Sequence, residues 1–274
     1  MTRRLTVVPP TLVVIALALF VSMPLYSMVV TSIKTDKEIY DDFTYIPRQP
    51  TLIQFQRVIV GDRFFINIRN SLIVATTSTV VAVLMSVLAA FAVVRLRFHG
   101  RIWIARLILF KYLLPTTLIY IPLFLVVNSL GLANTLQSLI FTYLSFSIPF
   151  ATWLLMGYFR GIPPELEEQA MIDGCSRIGA MVRVLLPIAA PGVVAAAIFT
   201  FTGAWNEFLL ALVFINRPEL QTVPVKLAGM IVGDQYVWGA IMAGAIVASL
   251  PVVVLYFLAQ RFVVSGLAAG AVKG

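Results

Sequence analysis

The sequence predicts an all-α membrane protein, a single domain over residues 1–274 with six transmembrane helices. Composition is the first observation behind that prediction. Sixty per cent of the residues are apolar and only 12% are charged, with a mean hydropathy of +0.97. A soluble globule cannot hide that much apolar surface, so lipid is the solvent for most of the chain. The second observation is six long apolar runs, at 9–33, 70–94, 102–127, 135–158, 188–215 and 239–262. Each approaches or exceeds the roughly 20 helical residues needed to cross a hydrocarbon core about 30 Å thick. The third is their texture: they are near-continuous, without the period-two alternation of a membrane barrel. In lipid the backbone must bond within itself, so each run should be helical.

The first run, 9–33, follows Arg3 and Arg4, which together with it could pass for a signal peptide. It extends to Ile33, beyond the roughly 7–15 residues of such an apolar region, and no A-x-A site closes it, so a retained span is expected. The loop at 34–69 mixes Lys34, Asp36, Lys37, Glu38, Asp41 and Asp42 with Pro47 and Pro50, which suits an ordered, solvated crossing. In the second run, Thr76, Thr77, Ser78 and Thr79 are expected to bond their own helix's carbonyls. A tight, Arg-rich turn at 95–101 leads to the third run, which carries Lys111. The fifth carries Glu207, the one acid placed inside a span, beside Trp205 and Asn206. A bare charge there costs at least a few kcal/mol, so Glu207 must face protein or water. The sixth shows Ala240, Gly244 and Ala248 in a small-residue stripe, which signals close helix packing.

Orientation follows from Lys and Arg in the short loops. Arg95, Arg97 and Arg101 fill the tight turn, whereas 128–134 on the opposite side has no cation. Both termini are therefore expected in the cytoplasm, with the chain a multi-pass component of the cytoplasmic (inner) membrane.

The segment 162–192 stands apart because it is charged and punctuated by glycine. Pro163 and Pro164 suit a first helical turn, and Glu165, Glu167 and Glu168 place negative charge at that helix's positive end. Gly174 can close the helix in a left-handed conformation, and Ser176 can cap a second one. On that second helix Ile178, Met181, Val182 and Leu185 are expected on one face. Pro187 and Pro191 bracket the start of the fifth span.

Glu168, Gln169 and Ala170, then Gly174, then Val184, Leu186 and Pro187 closely resemble the EAA loop of ABC-importer permeases. Gln169 stands where that motif usually has its first Ala, and Val184 where it usually has Ile. AWNEFLLAL at 204–212, Leu130-Gly131-Leu132 with Asn134-Thr135, Trp238-Gly239 with 243–245, and the tail at 264–274 are similar to carbohydrate-importer permeases of the MalG type. The resemblance covers nearly the whole chain and implies the type I importer fold. It implies a heterodimer with a second, MalF-like permease, two copies of a separate ATPase subunit, and an extracytoplasmic binding protein that delivers a sugar or sugar derivative. Glu168, Gln169, Ala170, Asp173, Gly174, Val184, Leu186 and Pro187 would then couple the chain to the ATPase.

Trp205, Asn206, Glu207 and Lys111 are candidates for the translocation path or an inter-subunit contact. Trp205 and Asn206 could offer a stacking face and hydrogen bonds to sugar, or Glu207 could be a polar clamp between helices. Lys111 could snorkel, or pair with Glu207. Glu219 and Gln221, in the loop at 216–238, are candidates to meet the binding protein.

Other function classes fare poorly. The formal charge of +8 is spread over loops, not arranged as a stripe for nucleic acid. Gly266, Gly270 and Lys273 fail the phosphate-loop spacing, so no cofactor is expected on this chain, and the resemblance puts Mg-ATP on the partner ATPases. An ion-coupled secondary transporter is the alternative reading, weakened by the lack of a visible repeat and by one intramembrane acid. His99 is the only histidine, Cys175 the only cysteine, and no catalytic or metal-ligand constellation appears.

Overall fold

The computed structural model describes residues 10–41, 44–113, 117–232 and 235–271. Two compact units emerge, one of residues up to 65 with 227–250, the other of 66–226 with those from 251 onward.

Apolar side chains all round make α1 (Pro10–Ser32) a helix with little internal burial, as a lipid-facing span requires. The loop that follows is ordered by its acids. Thr35 caps α2 (Asp36–Tyr40) by accepting from the Glu38 N–H. Glu38 in turn gathers the following loop, accepting from Thr44 Oγ1 at 3.0 Å and from the Arg48 N–H at 2.7 Å. Beyond α3 (Ile53–Gln56) and a π turn at Arg57–Gly61, Arg57 pairs with Asp36 at 2.8 Å. Gln54 is fully buried and donates to Asp36 at 2.7 Å, its side chain lying where a Cβ on Gly239 would be.

The same unit holds a short antiparallel hairpin, β1 (Ile231–Val232) with β2 (Gln235–Tyr236). Tyr40 donates its hydroxyl to the Tyr236 carbonyl, and Tyr236 stacks on Trp238 with centroids 5.1 Å apart. The long helix from Trp238 to Ala271 begins here. Its small stripe does pack closely: Ala240 and Ala248 are buried, and Gly244 lies against Leu227, Phe64 and Val58.

The larger unit takes most of α4 (Phe64–Arg95), then α5 (Arg101–Leu113), α6 (Thr117–Ser129) and α7 (Leu136–Arg160). After them come α8 (Glu165–Ile172), α9 (Arg177–Ala180), a π turn at Met181–Leu185 and α10 (Leu186–Ile188). Next are α11 (Ala190–Asn206), α12 (Leu209–Phe214) and most of α13 (Val223–Ala228), whose last two residues belong to the smaller unit. Counting α13 as the thirteenth, the long final helix Trp238–Ala271 is α14.

By length and composition, four described helices can cross a membrane: Thr11–Ser32, Phe64–Arg95, Leu136–Arg160 and Trp238–Gln260. Joining Arg177–Ile188 to Ala190–Asn206, which meet at 78°, makes a fifth. The expected run at 102–127 corresponds to α5 and α6, 13 residues each, with 114–116 outside the described residues. The expected fifth span is not one helix. Glu207 leaves the helical conformation (φ −67°, ψ 126°), and α12 starts two residues later.

The helix ends in this unit are fixed by polar side chains. Thr135 caps α7 by accepting from the Ser138 N–H. Asn134 takes a left-handed φ of 61°, and its side chain accepts from the Asn216 and Arg217 N–H groups at 3.0 and 3.1 Å. Asn67 and Asn70 donate to the Gln221 carbonyl, Asn70 also to that of Glu219, and Ser71 accepts from Val223 N–H. The loop at 216–223 is thus held from two sides. One expectation fails in α4: the buried hydroxyls of Ser78 and Thr79 make no hydrogen bond. Ser86, two turns on, shows what such a group can do instead, donating to the Ile148 carbonyl of α7 at 3.1 Å.

The core joins the ends of α4 and α7 to the π turn and α11, through Phe91, Leu155, Phe159, Met181, Leu185 and Ala196. Gly192 is essential to it, because a Cβ there would meet the Tyr158 ring. Gly192→Val should therefore destabilise the chain by about 1–3 kcal/mol through overpacking. Thermal unfolding of the purified protein will show a lowered midpoint, and Tyr158→Ala in the same chain should relieve part of it.

Acid sensitivity follows from the loop of the smaller unit. Hydrogen bonding from Arg57 holds the Asp36 carboxyl below its ordinary value of 3.8, and the Arg48 N–H does the same for Glu38 against 4.5. A carboxyl depressed in the folded state stabilises it above the unfolded value, and that stabilisation is lost as pH falls through the folded one. Unfolding midpoints should decline below the ordinary carboxylate range, and Asp36→Asn should flatten part of that decline.

Candidate coupling segment and the polar break in the fifth span

Pro164 starts α8, its carbonyl accepting from the Glu167 and Glu168 N–H groups at 3.0 and 3.1 Å. Adjacent helical residues point about 100° apart, and these two acids diverge accordingly. Glu167 turns inward to Arg95 at the end of α4, at 2.6 Å, and the same guanidinium donates to the Ile162 carbonyl at 2.7 Å. Glu167 is buried and Arg95 nearly so, their side chains 8% and 12% exposed. Glu168 stays exposed, as do Gln169, Asp173 and Gly174, while Ala170 is half-buried.

Gly174 closes α8 with φ +93°, its N–H bonding to the Met171 carbonyl and that of Cys175 to Ala170. Ser176 then caps α9 by accepting from the Gly179 N–H at 3.1 Å. Beyond the cap the expected apolar face divides. Met181 and Leu185 are buried in the core, whereas Ile178 and Val182 are exposed. The π turn at Met181–Leu185 has a wider repeat than an α-helix, which breaks the i, i+3, i+4 stripe. Val184 and Leu186 are half-buried beside fully buried Leu185, and Pro187 is exposed. The outcome is a two-helix projection with an exposed tip and a buried root.

Two residues of this segment escaped the sequence reading. Ile172, at the tip between Glu168 and Gly174, is 84% exposed, the most exposed large apolar side chain described. Glu167 was counted only as helix-end charge. Its signal was the pairing of a spare acid in α8 with an Arg at the very end of a span.

At the break in the fifth span, Glu207 is a clamp within the chain. Its Oε1 accepts from the Leu210 N–H at 2.8 Å, and its Oε2 from the Ala211 N–H at 3.1 Å and the Tyr143 hydroxyl at 2.8 Å. It thereby caps α12 and ties it to α7. Trp205 is buried and stacked on Phe201, centroids 5.7 Å apart, while Asn206 is exposed. Lys111 lies over the Phe146 ring at 5.9 Å and makes no ion pair with Glu207. Phe146 itself packs on Tyr143, so Lys111 and Glu207 flank one aromatic pair. Glu219 is exposed and Gln221 half-buried, in the loop that Asn67 and Asn70 hold.

This arrangement of apolar helices is a transporter permease fold. A bacterial ABC transporter involved in import of the acidic polysaccharide alginate superposes with a TM-score of 0.79, covering 93% of this chain and 95% of that one at 19% identity. The same kind of transporter bound to an alginate pentasaccharide-loaded periplasmic protein gives 0.67, over 91% and 90%. Residues 61–268 match the family described as binding-protein-dependent transport system inner membrane component, and the chain belongs to that family.

Relatives span nearly the full length. The inner membrane ABC transporter permease protein YcjP of Escherichia coli is 38% identical, covering 95% of this chain and 94% of its own. The sulfoquinovosyl glycerol permease SmoH of Agrobacterium fabrum is 40% identical over 89% and 86%. The trehalose/maltose permease MalG of Thermococcus litoralis is 35% identical over 95% and 94%. This chain is thus an ABC-transporter permease, a multi-pass component of the inner membrane.

The capping role of Glu207 predicts a specific pattern of loss. Glu207→Ala should lower stability by about 0.5–2 kcal/mol, as cap removal does. Tyr143→Phe, which leaves both backbone donors satisfied, should cost less. Unfolding midpoints of the two variants in detergent will rank them.

Proposed function

We propose that this chain is one of two permease subunits forming the path for a sugar or sugar derivative, with a second, MalF-like permease as its partner. Two separate ATPase subunits carrying Mg-ATP drive the cycle, and an extracytoplasmic binding protein supplies the substrate. Six spans, with both termini in the cytoplasm, place the 162–192 segment on the ATPase side.

One observation carries this reading: the projection around Gly174 has an exposed tip and a root fixed in the core by Met181 and Leu185. Such a shape can receive a displacement at one end and deliver it to α11 at the other. Glu168, Gln169, Ala170, Asp173 and Gly174 meet the ATPase, and Val184, Leu186 and Pro187 link the projection to the fifth span. The substrate class draws support from the relatives, whose names specify sulfoquinovosyl glycerol, trehalose/maltose and diacetylchitobiose. A binding-protein contact draws support from the fixed shape of the loop bearing Glu219 and Gln221. Trp205 and Asn206 at the end of α11, Glu207 at the break and Lys111 in α5 are the residues assigned to the path or to the contact with the partner permease.

Glu168→Lys and Gly174→Pro should leave the chain inserted while abolishing uptake, by releasing the ATPase or uncoupling hydrolysis from transport. Glu167→Gln should act differently, destabilising the chain because it leaves Arg95 buried without its carboxylate. ATPase copurification, hydrolysis and uptake in proteoliposomes separate these outcomes. Wild-type uptake by both Glu168→Lys and Gly174→Pro would refute the assignment.

A further inference from the structure

In the larger unit, a cleft of about 400 Å³ opens between α5 and the adjoining ends of α4 and α7. Its walls are apolar, with Ile102, Leu109 and Met156 among them, and three guanidiniums rim it: Arg101, Arg106 and Arg160. No carboxylate lines it. Among the described residues none of the three arginines has an acidic partner. Arg101 reaches only the Leu96 carbonyl at 3.4 Å, and Arg106 lies over the Trp103 ring at 5.2 Å.

The positions of these groups along the helices matter as much as their charge. Arg101 is the first residue of α5 and Arg160 the last of α7, at the ends of apolar helices. Trp103, in the first turn, is 67% exposed, the placement expected of an aromatic at headgroup depth. Apolar walls that run down from a ring of unpaired cations match a molecule with an anionic head and hydrocarbon tails.

We propose that this cleft binds an acidic phospholipid, phosphatidylglycerol in character, with its phosphate on Arg101, Arg106 and Arg160 and an acyl chain along Ile102, Leu109 and Met156. The inference rests on membrane insertion of the chain and is independent of the substrate or the coupling mechanism. Cations near an anionic lipid surface contribute about 1 kcal/mol each, so each arginine removed should weaken retention about fivefold.

The test uses the assembled transporter in nanodiscs of phosphatidylcholine mixed with phosphatidylglycerol, extracted into detergent and read by native mass spectrometry. Wild type should retain phosphatidylglycerol. The combined Arg101→Gln, Arg106→Gln, Arg160→Gln variant should lose it, and the corresponding Lys variant should largely keep it. Equal retention by wild type and the Gln variant would overturn the proposal. So would retention that appears only after the ATPase subunits are stripped, because an acidic protein surface would then be the occupant. Uptake by the same variants in proteoliposomes keeps the two readings apart: transport without retained lipid removes this site and leaves the proposed function standing.

Discussion

No backbone N–H or C=O can stay unpaired in a hydrocarbon layer, and the fifth span violates that rule unless something repairs it. The helix stops at Asn206 and resumes at Leu209, so the first N–H groups of α12 would be orphaned. Glu207 supplies the repair from its own side chain, with two backbone donors and a tyrosine hydroxyl on one carboxylate. Charge-assisted bonds of this kind are roughly twice as strong as neutral ones, which is what an acid in an apolar setting needs to be tolerated. The acid and the break therefore require each other. A straight helix would leave Glu207 without its backbone donors, and a broken one without Glu207 would leave α12 uncapped.

The same economy of partners shapes the 162–192 segment. Two adjacent glutamates in α8 divide the work by helical geometry, Glu167 anchoring to Arg95 and Glu168 remaining at the surface. Arg95 also binds the Ile162 carbonyl, so one guanidinium ties the end of α4 to the connection just before α8. With Met181 and Leu185 in the core on the other side, the projection is held at both feet and its tip is exposed. On the coupling reading, rigidity at the feet would let a push at the tip move the membrane helices instead of bending the segment.

Much of this was legible in the sequence where one residue type has one local use. Pro164, Gly174 and Ser176 fixed the start, the bend and the second start of the projection, and Thr135 that of α7. The long apolar runs gave α1, α4, α7 and α14 to within a few residues, except that α4 begins at Phe64, six residues ahead of the expected 70, and α14 runs to Ala271, nine beyond the expected 262. What hydropathy could not show was interruption. An apolar run looks the same whether one helix fills it or two, so the break at Glu207 and the bend at Ala189 were invisible. The π turn at Met181–Leu185 was hidden too, and it sends Ile178 and Val182 outward while Met181 and Leu185 go in. Long-range pairing was the other blind spot. Nothing local couples Arg95 to Glu167, or Asn70 to the carbonyl of Glu219.

The tip of the projection raises the question of what a partner would grip. Its carboxylates alone would give a weak, salt-sensitive contact, because exposed ion pairs contribute about 0–1 kcal/mol. Ile172 changes that balance. An isoleucine left 84% exposed among acids has apolar surface still to be removed from water, and full burial of such a side chain is worth about 1.5–3 kcal/mol. On the coupling reading, Ile172 supplies adhesion at the centre, while Glu168 and Asp173 around it set the register, the usual division between an apolar anchor and a charged rim. A segment built this way can remain attached while the surface beneath it moves, because its grip does not depend on any one ion pair surviving the stroke.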